Sequence, residues 1–141
     1  AGHAHGLAFH ESFGSIVAQV AEVSIQGGMP RVHRVVCAID CGTVVNPGTV
    51  AQQVESSVNF ALSAALFGKI EIQDGVVQQT NFTNYPLVNL AQSPVVETWI
   101  VPSTQSPEGV GEPAVPPLAP AVANAMFKLM GQRVRSLPLK A

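Results

Sequence analysis

Apolar residues first crowd into two neighbouring runs. Ile16 to Ile25 is dense in Val, Ile and Ala and carries few charges, which predicts a largely buried strand. Arg31 to Asp40 reads as a second strand, with Val35, Cys37 and Ile39 at odd positions and Val32, Val36 and Ala38 at even ones. The residues between them, Gln26-Gly27-Gly28-Met29-Pro30, are turn formers, so the two runs predict a hairpin. Residues 1–14, rich in Gly and His, are expected to be irregular.

The period then changes. Val50, Val54, Val58, Ala61, Leu62, Ala65 and Leu66 recur at spacings of three and four, the mark of an amphipathic helix. Asn46-Pro47 supplies a cap and a favoured first residue, and Gly68 is expected to end the helix in a left-handed conformation. Lys69–Gln73 and Val76–Thr80 flank Asp74-Gly75, a two-residue hairpin signal. After a polar, Asn-rich connection with Tyr85-Pro86, Val95–Val101 reads as a strand and Pro102–Glu112 as a loop. Leu118, Val122, Ala125, Met126 and Leu129 mark a second helix, entered through Pro116, Pro117 and Pro120 and stopped by Gly131. Pro120 fits only in that helix's first turn. The predicted fold is α+β, a layered sheet of hairpin strands with two amphipathic helices on one face. Val50, Val54, Val58, Leu62, Leu118, Val122 and Met126 are expected to fill the interface.

Composition narrows the setting. Only 11% of the 141 residues are charged, against roughly 25% in soluble proteins generally, while the apolar share is an ordinary 47%. Such a surface is expected to be partly covered by other protein, and exposed apolar patches should accompany it. The net charge of −2 and the small Arg31/Arg34 and Arg133/Arg135 pairs give no footprint for nucleic acid. No apolar run reaches the roughly 18 residues of a membrane span. The chain opens Ala1-Gly2-His3, without Met or a basic leader, as a fragment or processed chain would. Localisation stays open.

Candidate chemistry is sparse. Cys37 and Cys41, four apart on a strand, would stand roughly 13 Å from each other, too far for a disulfide. They read as buried small apolar residues. His3, His5 and His10 lack carboxylates or thiols at ligand spacing, so no metal ligand is assigned among them. His33 reads as an ordinary strand side chain. The most informative segment is Gly109-Val110-Gly111-Glu112-Pro113, where two glycines bring backbone close to a neighbour and a carboxylate follows just before a helix. Its alternative is a plain turn with a solvated Glu. Gln53, taken alone, is a polar residue on a helix flank.

Taken in order, Phe9-His10-Glu11-Ser12-Phe13-Gly14, Val17-Ala18-Gln19-Val20-Ala21-Glu22-Val23, Asp40-Cys41-Gly42 with Asn46-Pro47, and Gln53-Val54-Glu55 form a pattern. Asn81-Phe82 with Tyr85-Pro86, Gly109-Val110-Gly111-Glu112-Pro113, Ala119–Ala125 and Leu137-Pro138-Leu139 complete it. The whole resembles the C-terminal part of the molybdopterin-binding large subunit of molybdenum hydroxylases of the xanthine dehydrogenase/aldehyde oxidase type. Within that family it is most similar to bacterial isoquinoline oxidoreductase and aldehyde dehydrogenase large subunits.

The resemblance implies that residues 1–141 form the C-terminal segment of a molybdopterin cofactor-binding domain. It further implies an oxidoreductase that hydroxylates an aldehyde or N-heteroaromatic carbon with water-derived oxygen. Molybdenum would be carried on molybdopterin, as the cytosine dinucleotide form, and electrons would pass to iron–sulfur clusters on a small partner subunit. Glu112 would be the catalytic base. Gln53, Gly109, Val110 and Gly111 would contact the cofactor. The remainder of the large subunit would be a required partner, and the segment alone would be inactive. Ser56, Ser57 and Ala61 stand where the family commonly has glycine, the feature that favours the alternative of a non-catalytic structural or assembly domain.

Overall fold

A computed structural model describes residues 2–141; Ala1 lies outside the described residues. Three long strands, β1 (His3–Ser12), β2 (Ser15–Gln26) and β3 (Met29–Asp40), run antiparallel in sequence order. A shorter strand, β6 (Val95–Ile100), joins the far side of β3 in parallel, giving the order β1-β2-β3-β6. Between β3 and β6 lie the helix α1 (Pro47–Leu66) and a small separate hairpin of β4 (Ile72–Gln73) and β5 (Val76–Val77). The helix α2 (Leu118–Met130) follows β6.

Both helices cover one face of the main sheet, as the periodicity predicts. Val23, Val32 and Val35 from the strands pack with Val58, Leu62, Leu118, Val122 and Met126 from the helices. A second cluster joins Val17, Cys37 and Ile39 to Val50 and Val54 near the start of α1, with Ala114 of the loop before α2. All seven residues expected at the interface are buried. So are Cys37 and Cys41, both free thiols, and burial pushes the Cys37 thiol up to about 11. The inward positions of β3 are Val32, then Val35, Cys37 and Ile39, because the β2–β3 register shifts at Glu22/Val23. His33 is the extra residue of that bulge, which puts even-numbered Val32 on the inner face with odd-numbered Val35, Cys37 and Ile39, while Val36 and Ala38 lie half-buried on the other face.

The helix ends follow local chemistry. Asn46 Oδ1 accepts the N–H of Thr49 at 3.1 Å, and Pro47 opens α1. Pro120 lies in the first turn of α2, and Gly131, at φ 72°, closes it with its N–H on the Phe127 carbonyl.

Three expectations are corrected. Residues 3–12 are not irregular but form β1, paired along its length with β2. Its small residues, Ala4, Gly6 and Ala8, point toward the helices, and its bulky ones, Leu7 and Phe9, point away, so the usual apolar alternation is inverted. Gly68 is not left-handed; α1 ends through Phe67 at φ −131°, and the Gly68 N–H is shared between the Ser63 and Ala64 carbonyls. The hairpin around Asp74-Gly75 has the expected left-handed turn (φ 49° and 78°) but only two residues per strand, all exposed. With no core beneath it, the ladder stops short. The face of the main sheet away from the helices exposes Leu7 and Phe9 on one edge strand and Trp99 on the other, each more than 60% exposed, apolar surface of the kind that the low charge predicts.

Candidate cofactor-facing site around Glu112

The β1–β2 turn begins the site. Phe13 and Gly14 occupy its two corners at φ 55° and 76°, a left-handed pair that matches the twist of a tight hairpin. For a residue as bulky as Phe, that conformation is uncommon and strained. The Phe13 carbonyl accepts the N–H of Gly109 at 3.0 Å, and the Cys41 carbonyl accepts that of Glu108 at 3.0 Å. The loop between β6 and α2 is thereby stitched across the open end of the sheet.

From there the loop alternates between anchored and open positions. Ser15 Oγ donates to the Gly109 carbonyl at 2.6 Å, and the Val110 side chain packs, half-buried, on the second core cluster. Ser57 Oγ, from α1, donates to the Gly111 carbonyl at 3.1 Å. Gln19 Nε2, from β2, donates to the Ala114 carbonyl at 2.7 Å. Glu112 itself is exposed, and its carbonyl accepts the Val115 N–H at 2.9 Å. The partial burial expected of an activated glutamate is thus not provided by this chain's own residues.

Glu112 stands in an open cleft of about 420 Å³, with Phe13, Ser57, Phe60, Gly111 and Val115 among its walls. Gln53 lies one turn before Ser57 on α1 and is half-buried. The two glycines of the loop differ in kind. A Cβ on Gly109 would lie 2.8 Å from Phe13 Cβ, so the fold itself excludes a side chain there. A Cβ on Gly111 would meet nothing nearer than Gln53 Nε2, at 3.8 Å. The fold tolerates a side chain at 111, and its absence leaves room in front of the Gln53 amide. Among the described residues, the N–H groups of Val110 and Gly111 donate to no protein acceptor. Gly111 and Glu112 line the cleft, and the Gln53 amide faces Gly111 from α1; a carboxylate and a free backbone donor there, with an amide beside them, suit a polar, hydrogen-bonding group.

The structure therefore gathers Gln53, Gly109, Val110, Gly111 and Glu112 into one place, although Gln53 is more than fifty positions from the others. It leaves the histidines elsewhere. His3 stacks on His33 with ring centroids 4.3 Å apart and meets Glu22 at 2.6 Å, at the end of the hairpin opposite Phe13. Among the described residues no three His, Cys, Asp or Glu side chains form a metal-binding group. Sequence reasoning missed Ser15, Gln19 and Ser57. The signal was polar residues in apolar stripes: Gln19 on the same strand face as Val17 and Ala21, Ser57 on the helix stripe with Val54 and Ala61.

Residues 3–94 match the molybdopterin cofactor-binding domain family, a span that includes Gln53 and stops short of Glu112. Over 141 residues the chain is 36% identical to the beta chain of isoquinoline 1-oxidoreductase from Brevundimonas diminuta, covering 99% of this chain and 18% of that one. It is 31% identical over 147 residues to a nicotinate dehydrogenase chain of Pseudomonas putida, covering 99% and 12%. The chain therefore spans less than a fifth of these relatives. The crystal structure of quinoline 2-oxidoreductase from Pseudomonas putida 86 shares the fold, with a TM-score of 0.79 at 22% identity over 88% of this chain and 17% of that one. The chain belongs to the molybdopterin cofactor-binding domain family.

Proposed function

We propose that this chain is the C-terminal segment of the cofactor-binding subunit of a molybdenum hydroxylase, and that Glu112 is its general base. The observation that carries the reading is Glu112 lining a cleft together with the uncrowded Gly111, which faces the Gln53 amide, in a chain of a cofactor-binding family. Gln53 would donate its amide to the cofactor, and the Val110 and Gly111 N–H groups would add two donors. Gly109 would hold the loop at the distance the turn of Phe13 dictates. When bound, molybdenum on molybdopterin supplies the two-electron oxidation that turns a substrate C–H into C–O with oxygen from water.

The chain's own part is proton management. A carboxylate within hydrogen-bond reach of the proton it removes, on a backbone fixed at both sides, meets the geometric demand of a general base. Phe13 and Phe60 give the cleft an apolar lining suited to a flat aromatic or aldehyde substrate. The two sequence relatives are named for isoquinoline and nicotinate, which supports the N-heteroaromatic part of that substrate class. The same proposal includes the cytosine dinucleotide form of the cofactor, a small iron–sulfur subunit that accepts the electrons, and dependence on the rest of the large subunit.

A non-catalytic assembly domain is the competing reading, drawn from serine in place of glycine. Ser57 is 3% exposed and commits its hydroxyl to Gly111, which favours the enzyme. Metal analysis of the purified full-length complex separates the two. Stoichiometric molybdenum with a pterin is expected; a folded complex devoid of both would leave only the assembly role.

A further inference from the structure

Among the described residues, the buried polar side chains are Ser15, Gln19, Ser24 and Ser57. Three of these four give their donor to a backbone carbonyl of one short loop: Gly109, Ala114 and Gly111 respectively for Ser15, Gln19 and Ser57. They reach it from two different elements, β2 and α1. Polar groups are costly in a core, and an apolar residue of similar shape packs there at no such cost. Gln19 carries a further penalty, because its Oε1 is buried without a partner. A core optimised only for stability would not concentrate its polar residues under a single loop.

We infer that Ser15, Gln19 and Ser57 are positioning residues that clamp the Gly109–Ala114 loop and so fix where the Glu112 carboxylate stands. The clamp brackets the glutamate. Gly111 is held on one side and Ala114 on the other, while the Glu112 carbonyl is bonded forward to Val115. With the backbone pinned, the side chain is the moving part. The inference rests on the reading of Glu112 as base, and it concerns rate at bound substrate rather than substrate affinity.

The test uses the full-length holoenzyme with three variants: Gln19→Met, which leaves the Ala114 carbonyl unpaired, and the gentler Ser15→Ala and Ser57→Ala. Misplacement of a catalytic group by about 1 Å costs up to about 100-fold in rate. The expected result is a fall in kcat of that order for Gln19→Met and about tenfold for each serine variant, with KM and molybdenum content near wild type. Ser57→Thr, which keeps the hydroxyl, should restore most of the rate. Amide hydrogen exchange across residues 109–115 should rise in all three variants, a readout independent of turnover. Placed in a Glu112→Gln background, the same changes should add little, since residues acting as a unit are not additive. Unchanged exchange together with unchanged kcat in the serine variants would overturn the clamp. Faster exchange with additive losses on top of Glu112→Gln would keep the clamp on the loop and overturn Glu112 as the group it serves.

Discussion

The carbonyl of Phe13 accepts the N–H of Gly109 at 3.0 Å, tying the β1–β2 turn to the loop that carries Glu112. Phe13 makes this bond from a left-handed backbone, φ 55°, which an L-residue other than Gly, Asn or Asp rarely adopts. Phe13→Asn should relieve that strain and leave thermal stability unchanged or raised by up to about 1 kcal/mol. The ring also lines the cleft, so KM for an apolar substrate should rise in the full enzyme. Calorimetry and steady-state kinetics check both; a clear drop in melting temperature would show that the ring's packing outweighs the strain.

Gly6 marks the tightest approach of α2 to the sheet. A Cβ there would lie 2.0 Å from the Ala121 carbonyl oxygen and 2.4 Å from the Ala125 nitrogen. Both neighbours are backbone, which cannot swing aside. Gly6→Ala should therefore cost at least about 3 kcal/mol, the upper end of ordinary overpacking, as measured by denaturant unfolding.

Periodicity made most of this fold legible. The β2–β3 hairpin, both helices and their shared face follow from spacing alone, because each buries an apolar stripe against the same layer. β1 was hidden by Gly6 and its neighbours: α2 approaches so closely that only small residues fit on the inward side, and the bulky Leu7 and Phe9 face out. Within the site, Glu112 and the glycine loop were readable as a motif. Gln53 entered only through the family resemblance, since a half-buried helix glutamine taken alone gains meaning only when the fold brings Gly111 to it. The polar residues under the loop were visible as interruptions of apolar stripes, but their targets lie 54 to 95 positions away.

Gly111 separates structure from function. A Cβ there meets only Gln53 Nε2 at 3.8 Å, so Gly111→Ala should change stability by no more than about 0.5 kcal/mol. If the cleft in front of Gln53 receives the cofactor, the same change should lower molybdenum and pterin content of the full-length protein. Full occupancy in a Gly111→Ala variant would place the cofactor elsewhere.

Cys37 should be inert in the folded protein. Burial pushes its thiol up to about 11, and burial followed by the charge of Asp40 also raises Cys41. Thiolate, the reactive form, is then scarce at pH 8. Alkylation should leave both cysteines unlabelled under native conditions and label both in denaturant. The unfolded chain loses the Cys37 proton above roughly pH 8.5, while the folded chain keeps it to about 11. The unfolded state thus binds fewer protons in that window, and stability should fall as pH rises through it. Rapid native labelling at pH 8 would contradict the burial.

Glu112 is expected to take a proton during turnover, and on this step the proposed function stands. Glu112→Gln keeps the shape and the exposed position but removes the acceptor. The measurement is kcat of the full-length enzyme on an aldehyde or N-heteroaromatic substrate, wild type against Glu112→Gln, at equal molybdenum occupancy. Loss of a general base should lower kcat by about 10² to 10⁴. A variant that turns over at close to the wild-type rate would mean that Glu112 is a solvated loop residue and that the base lies elsewhere.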